Sequence, residues 1–237
     1  MIKEKSHIID TMFKAGAHFG LSRSRRHPTT AQYVFGVKNR IEIFDLEKTS
    51  ESLEKALAFV KSIAASGKQI LIVAGKSEAI EAVKLSADKI GQPHVAGRWI
   101  GGTLTNFIQI RKRVEKLENR LKEKEKGELA KYTKKERLLI DREIANLERF
   151  FSGIVSMKEK PGALIVVDPK REENAVAEAL QLGVPVVAIA STDCNLSQIK
   201  YPIPGNDASA PSITYFLYAI TVEYAEGKTL KPKVDGK

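Results

Sequence analysis

Residues 47–91, EKTSESLEKALAFVKSIAASGKQILIVAGKSEAIEAVKLSADKIG, decide the fold. In their first part Leu53, Ala56, Leu57, Val60, Ile63 and Ala64 recur at three- and four-residue steps, the period of a helix with one apolar stripe, and Gly67 closes it. Ile70–Ala74 is an unbroken apolar run of strand length, as a parallel strand covered on both faces requires. Ser77 is placed to cap a second helix whose Ala79, Ile80, Val83, Ala87 and Ile90 keep helical spacing until Gly91, and a short strand over Pro93–Ala96 follows. Further on the same grammar resumes: a strand over Ala163–Val167, a helix over 172–182 ended by Gly183, a strand over Val186–Ala190 and a last helix near Ser212–Ala225. Repeated β-α-β units imply an α/β fold with a parallel sheet and right-handed crossovers.

Between the two halves lies an insertion, 104–155, that reads as two helices broken near Gly127. Ile110, Val114, Leu117 and Leu121 form a narrow seam on the first, and Ile140, Ile144, Leu147, Phe151 and Ile154 on the second, the pattern of an antiparallel coiled-coil hairpin. At 1.5 Å per residue each arm would reach about 30 Å. The expected organisation is therefore an α/β unit from 1–103 and 156–228, a protruding hairpin over 104–155 and a basic flexible tail over 229–237.

The chain has 237 residues, 43% of them hydrophobic and 29% charged, ordinary usage for a folded protein and too apolar for a chain disordered throughout. Nothing approaches the roughly 18 apolar residues of a membrane span, and the start, MIKEKSHIID, is charged where a signal peptide is apolar. A cytoplasmic protein without membrane contact is expected. The single cysteine, Cys194, excludes an internal disulfide, and no CxxC or HExxH spacing suggests a metal.

The net charge of +10 is unevenly placed. Residues 1–40 carry 8 basic and 2 acidic side chains and 111–150 carry 14 and 9, while 41–110 balance at 8 and 8 and 151–237 hold 9 and 10. Concentrated cations point to a polyanion such as nucleic acid; the bland alternative for the second block is a solvated helix face.

Enzyme signatures fail on inspection. Gly75-Lys76-Ser77 imitates the end of a phosphate loop, but Ile70 stands where its first glycine belongs. Gly97-Arg98-Trp99-Ile100-Gly101-Gly102 lacks dinucleotide spacing. Asp168 and Asp193 both follow strands and suit turns or caps better than acid–base work, Cys194 has no neighbouring histidine to activate it, and His18, His27 and His94 are dispersed and read as packing residues. No catalytic residue, cofactor, metal or small-molecule substrate is expected.

The recognition surface reads differently. Arg23-Ser24-Arg25-Arg26-His27-Pro28 is an arginine-rich loop that its proline keeps from being helical, suited to gripping phosphates. Lys38-Asn39-Arg40 sits at the tip of a hairpin between Tyr33–Val37 and Ile41–Phe44. Arg98 beside Trp99 pairs a cation with an aromatic plane, although Trp99 serves equally well as core. Thr105, Asn106 and the hairpin's Arg111, Lys112 and Arg113 add polar and basic groups to this surface, which the resemblance named next makes an RNA-binding footprint.

These stretches resemble the bacterial small-subunit ribosomal protein two family over nearly the whole chain. The pieces that carry the resemblance occur in order: Ala17-His18-Phe19-Gly20, Tyr33-Val34-Phe35-Gly36-Val37-Lys38-Asn39, Ile43-Phe44-Asp45-Leu46-Glu47-Lys48-Thr49, the run from Gly97 to Phe107, Pro161 to Asp168, Leu182 to Ala188, and Tyr201-Pro202-Ile203-Pro204-Gly205-Asn206-Asp207. The chain departs from the family pattern at Arg26-His27-Pro28-Thr29, where many members have Trp-Asn-Pro-Lys, and in Ala74-Gly75-Lys76-Ser77-Glu78, which lacks a second lysine. The resemblance implies a flavodoxin-like domain with a coiled-coil hairpin, bound without enzymatic activity to small-subunit ribosomal RNA at the head–body junction. It also implies neighbouring ribosomal proteins as partners, ribosomal protein one among them in some bacteria. A sugar-phosphate enzyme on the same sheet and an RNA-free adaptor remain the competing readings.

Overall fold

The computed structural model describes residues 2–230. The main sheet contains five parallel strands, β4 (Ile70–Ala74), β5 (His94–Ala96), β6 (Ala163–Val167), β7 (Val186–Ala190) and β8 (Tyr201–Pro204), in spatial order β5-β4-β6-β7-β8. Counted along the sheet's own strands this is 2-1-3-4-5, the flavodoxin-type winding. A smaller antiparallel sheet precedes it, with β1 (Phe19–Ser22), β2 (Val34–Lys38) and β3 (Ile41–Phe44) in the order β1-β3-β2. Asn39 and Arg40 link β2 to β3 with φ of 51° and 66°, the two positive values that a tight two-residue hairpin turn demands.

The alternation of buried strand residues sorts the core into two layers. Ile70, Ile72, Ile165, Val187 and Ile203 face helices α2 (Leu46–Ala65), α3 (Ser77–Ile90) and α7 (Ala210–Thr229), together with Met12 of α1 (Ile2–Lys14). Leu71, Val73, Leu164, Val166, Val186 and Ala188 face the opposite way, toward α6 (Glu173–Gln181) and the paired helices α4 (Phe107–Glu125) and α5 (Lys134–Phe151). Burial of this apolar surface on both sides is what makes the central strands read as continuous hydrophobic runs.

Helices α4 and α5 pack along Ile110, Val114 and Leu117 on one and Ile144, Leu147 and Phe151 on the other. Ion pairs cross between them from Lys116 and Arg120 to Glu143 and from Lys124 to Asp141, the last at 2.8 Å, so later positions of α4 meet earlier positions of α5. Thr133 and Glu136 cap α5 reciprocally. The pair is rooted in the core, because its seam residues join one cluster with Leu104, Ile154, Met157 and the sheet. Gly153 permits the close return: a Cβ there would lie 2.3 Å from the His94 carbonyl oxygen.

Several expectations need correction. Ser77 is the first helical residue and not the cap; Lys76 holds the cap position, and the Ser77 hydroxyl donates to Glu78. The arginine-rich segment is not an open loop, since Arg23–Arg25 and Pro28–Tyr33 both form short 3-10 turns, and a proline suits the first position of such a turn. The last helix runs on to Thr229, with Gly227 so close to α2 that a Cβ would meet the Lys61 carbonyl oxygen at 2.5 Å. Residues 231–237 of the expected tail lie outside the described residues. Helix α1 and strands β1 and β8 are additions to the elements expected from sequence.

One carboxylate fixes the passage from the sheet into α4. Glu178 of α6 accepts hydrogen bonds from Trp99 Nε1 at 3.0 Å, from the amides of Gly102, Leu104 and Thr105 at 2.8, 3.0 and 3.0 Å, and from the Thr105 hydroxyl at 3.1 Å. Burial opposes its ionisation, but these donors outweigh burial and hold the carboxyl below the usual glutamate range. Glu178→Gln keeps the shape, yet turns an acceptor into a donor facing donors. It should cost about 2–3 kcal/mol, a fall in Tm of roughly 4–12 °C. The stabilisation from a lowered pKa is present at neutral pH and lost as pH falls through the folded value. The gap between wild type and variant, read from denaturant titrations, should therefore close in acid.

Candidate nucleic-acid interface

Ligands of an open α/β sheet sit beyond the carboxyl ends of its strands, so that crevice comes first. Here it is filled by the chain's own charges. Lys76, after β4, places Nζ 2.8 Å from Asp168 Oδ2, after β6, and 2.9 Å from Asp207 Oδ1, after β8. Burial works against the ammonium, but the two carboxylates outweigh it and hold the lysine above its ordinary range. Asp207 is almost wholly enclosed, and burial pushes its carboxyl up to about 6 despite Lys76. Gly75 leaves room for the buried Glu172 carboxyl, which would lie 2.3 Å from a Cβ at that position.

The candidate catalytic residues have structural partners. Asp168, at φ 60°, accepts from the Arg171 amide and shapes the turn after β6. Asp193 pairs with Lys170 at 2.8 Å. Among the described residues one group has metal-ligand proximity, Asp168, Cys194 and Asp207, with ligand atoms within 4.8 Å of one another. Lys76 already supplies the cation facing both carboxylates, and burial drives the Cys194 thiol far up, so it stays protonated and inert. His27 accepts from the Thr29 amide, and His18 is buried between Phe13 and Phe19 at ring distances of 4.3 and 4.0 Å, where burial lowers its pKa and keeps it neutral.

The basic segment is held rigidly. The His27 amide and the Thr30 hydroxyl both donate to the Thr192 carbonyl at 2.8 Å, and the Leu21 amide donates to the Thr192 hydroxyl at 3.0 Å. This pins the arginine turn onto the loop after β7 and leaves Arg23 and Arg25 exposed, without a carboxylate in ion-pair range among the described side chains. Lys38 and Arg40 extend from the hairpin turn in the same condition, as do Arg98, Lys112 and Arg113.

Other expected RNA contacts are taken up internally. Arg26 pairs at 3.2 Å with the fully buried Glu42, so its charge offsets a core carboxylate. Trp99 lies in the core with its indole N–H on Glu178, the core role that was one of its two readings from sequence. Thr105 donates to the same carboxylate from both amide and hydroxyl, and Asn106 is exposed at the start of α4. Arg111 donates to the Val155 carbonyl at 3.0 Å and lies 3.5 Å from Glu118, so it braces the hairpin base.

Sequence reasoning missed exposed apolar residues on and beside the small sheet: Phe13 of α1, Phe19 of β1, Phe35 and Val37 of β2 and Ile41 of β3, with Phe35 exposed at 81%. Val37 pairs with Glu42 and Ile41 with Lys38, so they stand on both faces of the sheet. The signal was present in VFGVK and IEIF, whose apolar residues outnumber what one buried face can absorb.

The crevice yields a direct test. Lys76→Met leaves Asp168 and Asp207 facing each other without a counter-charge, and should cost about 3–5 kcal/mol at neutral pH in urea unfolding. Without Lys76 to lower it, the Asp207 carboxyl of the variant is pushed higher than the wild-type value of about 6, so the variant takes up its proton first and the deficit should shrink as pH falls toward 6. A variant as stable as wild type at pH 7 would show that the triad is not an anchor.

The family profile described as Ribosomal protein S2 matches residues 12–227. The chain is 43% identical over 216 residues to the small ribosomal subunit protein uS2 of Bdellovibrio bacteriovorus, covering 91% of this chain and 69% of that protein. It is 39% identical over 226 residues to the protein of the same name from Wolinella succinogenes, covering 95% and 83%. With the fold, the filled crevice and the free surface cations in place, this likeness along almost the entire length means that the chain belongs to the ribosomal protein S2 family.

Proposed function

We propose that this chain is a structural constituent of the small ribosomal subunit that binds ribosomal RNA at the head–body junction and supports translation by holding RNA and protein neighbours in position. The role is non-enzymatic. The observation that carries the RNA reading is the division of labour among its cations: Lys76, Arg26 and Arg111 are committed to internal partners, while Arg23, Arg25, Lys38, Arg40, Arg98, Lys112 and Arg113 face solvent. Phosphate contacts of this kind fix position and shape more than sequence.

The α/β unit, 1–103 with 156–228, then acts as the rigid platform and the 104–155 hairpin as a coiled-coil arm that lengthens the footprint. Exposed Phe35 and Val37 on β2, next in sequence to Lys38 and Arg40, are the part of the surface suited to a protein neighbour, because exposed aromatic area beside positive charge matches an acidic, partly apolar partner.

Sucrose-gradient sedimentation of cell lysate with immunodetection tests the assignment. The chain should travel with small subunits and be released by high salt; a position only at the top of the gradient would sink the proposal. Replacing Arg23, Arg25, Lys38 and Arg40 together by alanine should weaken binding to small-subunit RNA and flatten the salt dependence by about 0.7–0.9 for each phosphate no longer neutralised. An unchanged slope would remove these four from the footprint.

A further inference from the structure

A cleft of about 410 Å³ lies between α3, β5 and the end of α5, lined by none of the small sheet's residues and none of the charges that fill the crevice. Lys84 of α3, Arg98 after β5 and Arg149 of α5 line it, and none of the three has a carboxylate in ion-pair range among the described side chains. Three unpaired cations around one concavity repel one another and gain most from a bound anion. The single acid in the lining, Glu148, is exposed.

The other walls are suited to a flat, partly polar group. Phe150 is half-buried, with the Arg149 guanidinium 5.4 Å from its ring centre, so an aromatic face and a planar cation stand together. His94 is half-buried and burial lowers its pKa, so its ring offers one donor and one acceptor at neutral pH. The volume lies in the range of small-molecule pockets, about 300–1,000 Å³, and is too narrow for a duplex. The cleft is also built by the fold: Gly153 lets the hairpin's exit close on the His94 backbone and so forms its floor.

We propose that this cleft receives one unstacked nucleotide of the bound RNA, its phosphates on Lys84, Arg98 and Arg149 and its base against Phe150 and His94. RNA recognition through splayed bases that stack on aromatic rings and guanidinium planes has this chemistry. The inference rests on the RNA-binding reading above and adds Lys84, His94, Arg149 and Phe150 to it. It also explains why the cleft forms where sheet and hairpin meet, since there cations from two units converge on one point.

The test measures binding of the full-length chain to small-subunit ribosomal RNA across a salt series. Arg149→Ala and Lys84→Ala should each weaken binding and lower the salt slope by about one. Phe150→Leu should weaken binding about fivefold or more with the slope unchanged, because it removes a stacking face and keeps every phosphate partner. Lys89→Ala, on the other side of α3, should behave as wild type, and thermal melts confirm that each variant folds. Ultraviolet cross-linking of intact small subunits should attach a nucleotide within the peptide spanning 149–153. If wild type binds RNA and the cleft variants match it in affinity and slope, the cleft proposal is wrong while the RNA-binding reading stands. If wild type itself does not bind, both fall. Stabilisation by inorganic phosphate or uridine monophosphate with no loss of RNA affinity in the variants would overturn RNA as the source of the ligand.

Discussion

The Glu178 carboxylate is the constraint on which the rest of the molecule depends. A single side chain on α6 satisfies the indole of Trp99, the amides of Gly102, Leu104 and Thr105, and the Thr105 hydroxyl. The segment it holds is rich in glycine and has no ladder of its own, so without an acceptor its amides would be left unpaired at a cost of about 1–3 kcal/mol for each one buried. Holding that segment aims α4, and through α4 the direction of α5, while the bond to Trp99 fixes the backbone beside Arg98. The charge is stable there because convergent donors favour the ionised form more than burial disfavours it.

The same matching of charge to partner runs through the protein. Lys76 pairs with two buried carboxylates at the strand ends, where a sheet of this winding would otherwise offer a ligand crevice. Arg26 offsets Glu42 beneath the small sheet. These internal pairs serve the fold and leave the surplus of positive charge on the outside. A net charge of +10 alone points to a polyanion, but it is the separation of committed from free cations that tells which of them are open to a partner.

Much of the architecture was legible in particular residues. Ile70–Ala74, Ala163–Val167 and Val186–Ala190 are strands at the boundaries their apolar runs indicate, because residues buried on both faces leave an unbroken signature. Strand β8 was hidden by Pro202 and Pro204, which cannot donate to a ladder; the structure tolerates them because β8 is an edge. Helix α1 was hidden by the charges that interrupt its apolar pattern, and its place depends on the fully buried Met12. In the candidate interface, Arg23, Arg25, Lys38 and Arg40 are exposed, whereas Trp99, Arg26 and Arg111 have internal partners, and nothing local announces a partner such as Glu178, Glu42 or the Val155 carbonyl.

The sequence by itself determined the α/β class, the parallel strands, the two-helix insertion and the family, because periodicity, glycine stops and ordered motifs are properties of neighbouring residues. Only the tertiary structure decided which charges are free. Lys76 and Arg23 look alike in a sequence; one is enclosed by Asp168 and Asp207, residues 92 and 131 positions away, and the other faces water. Electrostatic interaction depends on distance through space and on burial, and neither quantity is written in the order of the chain.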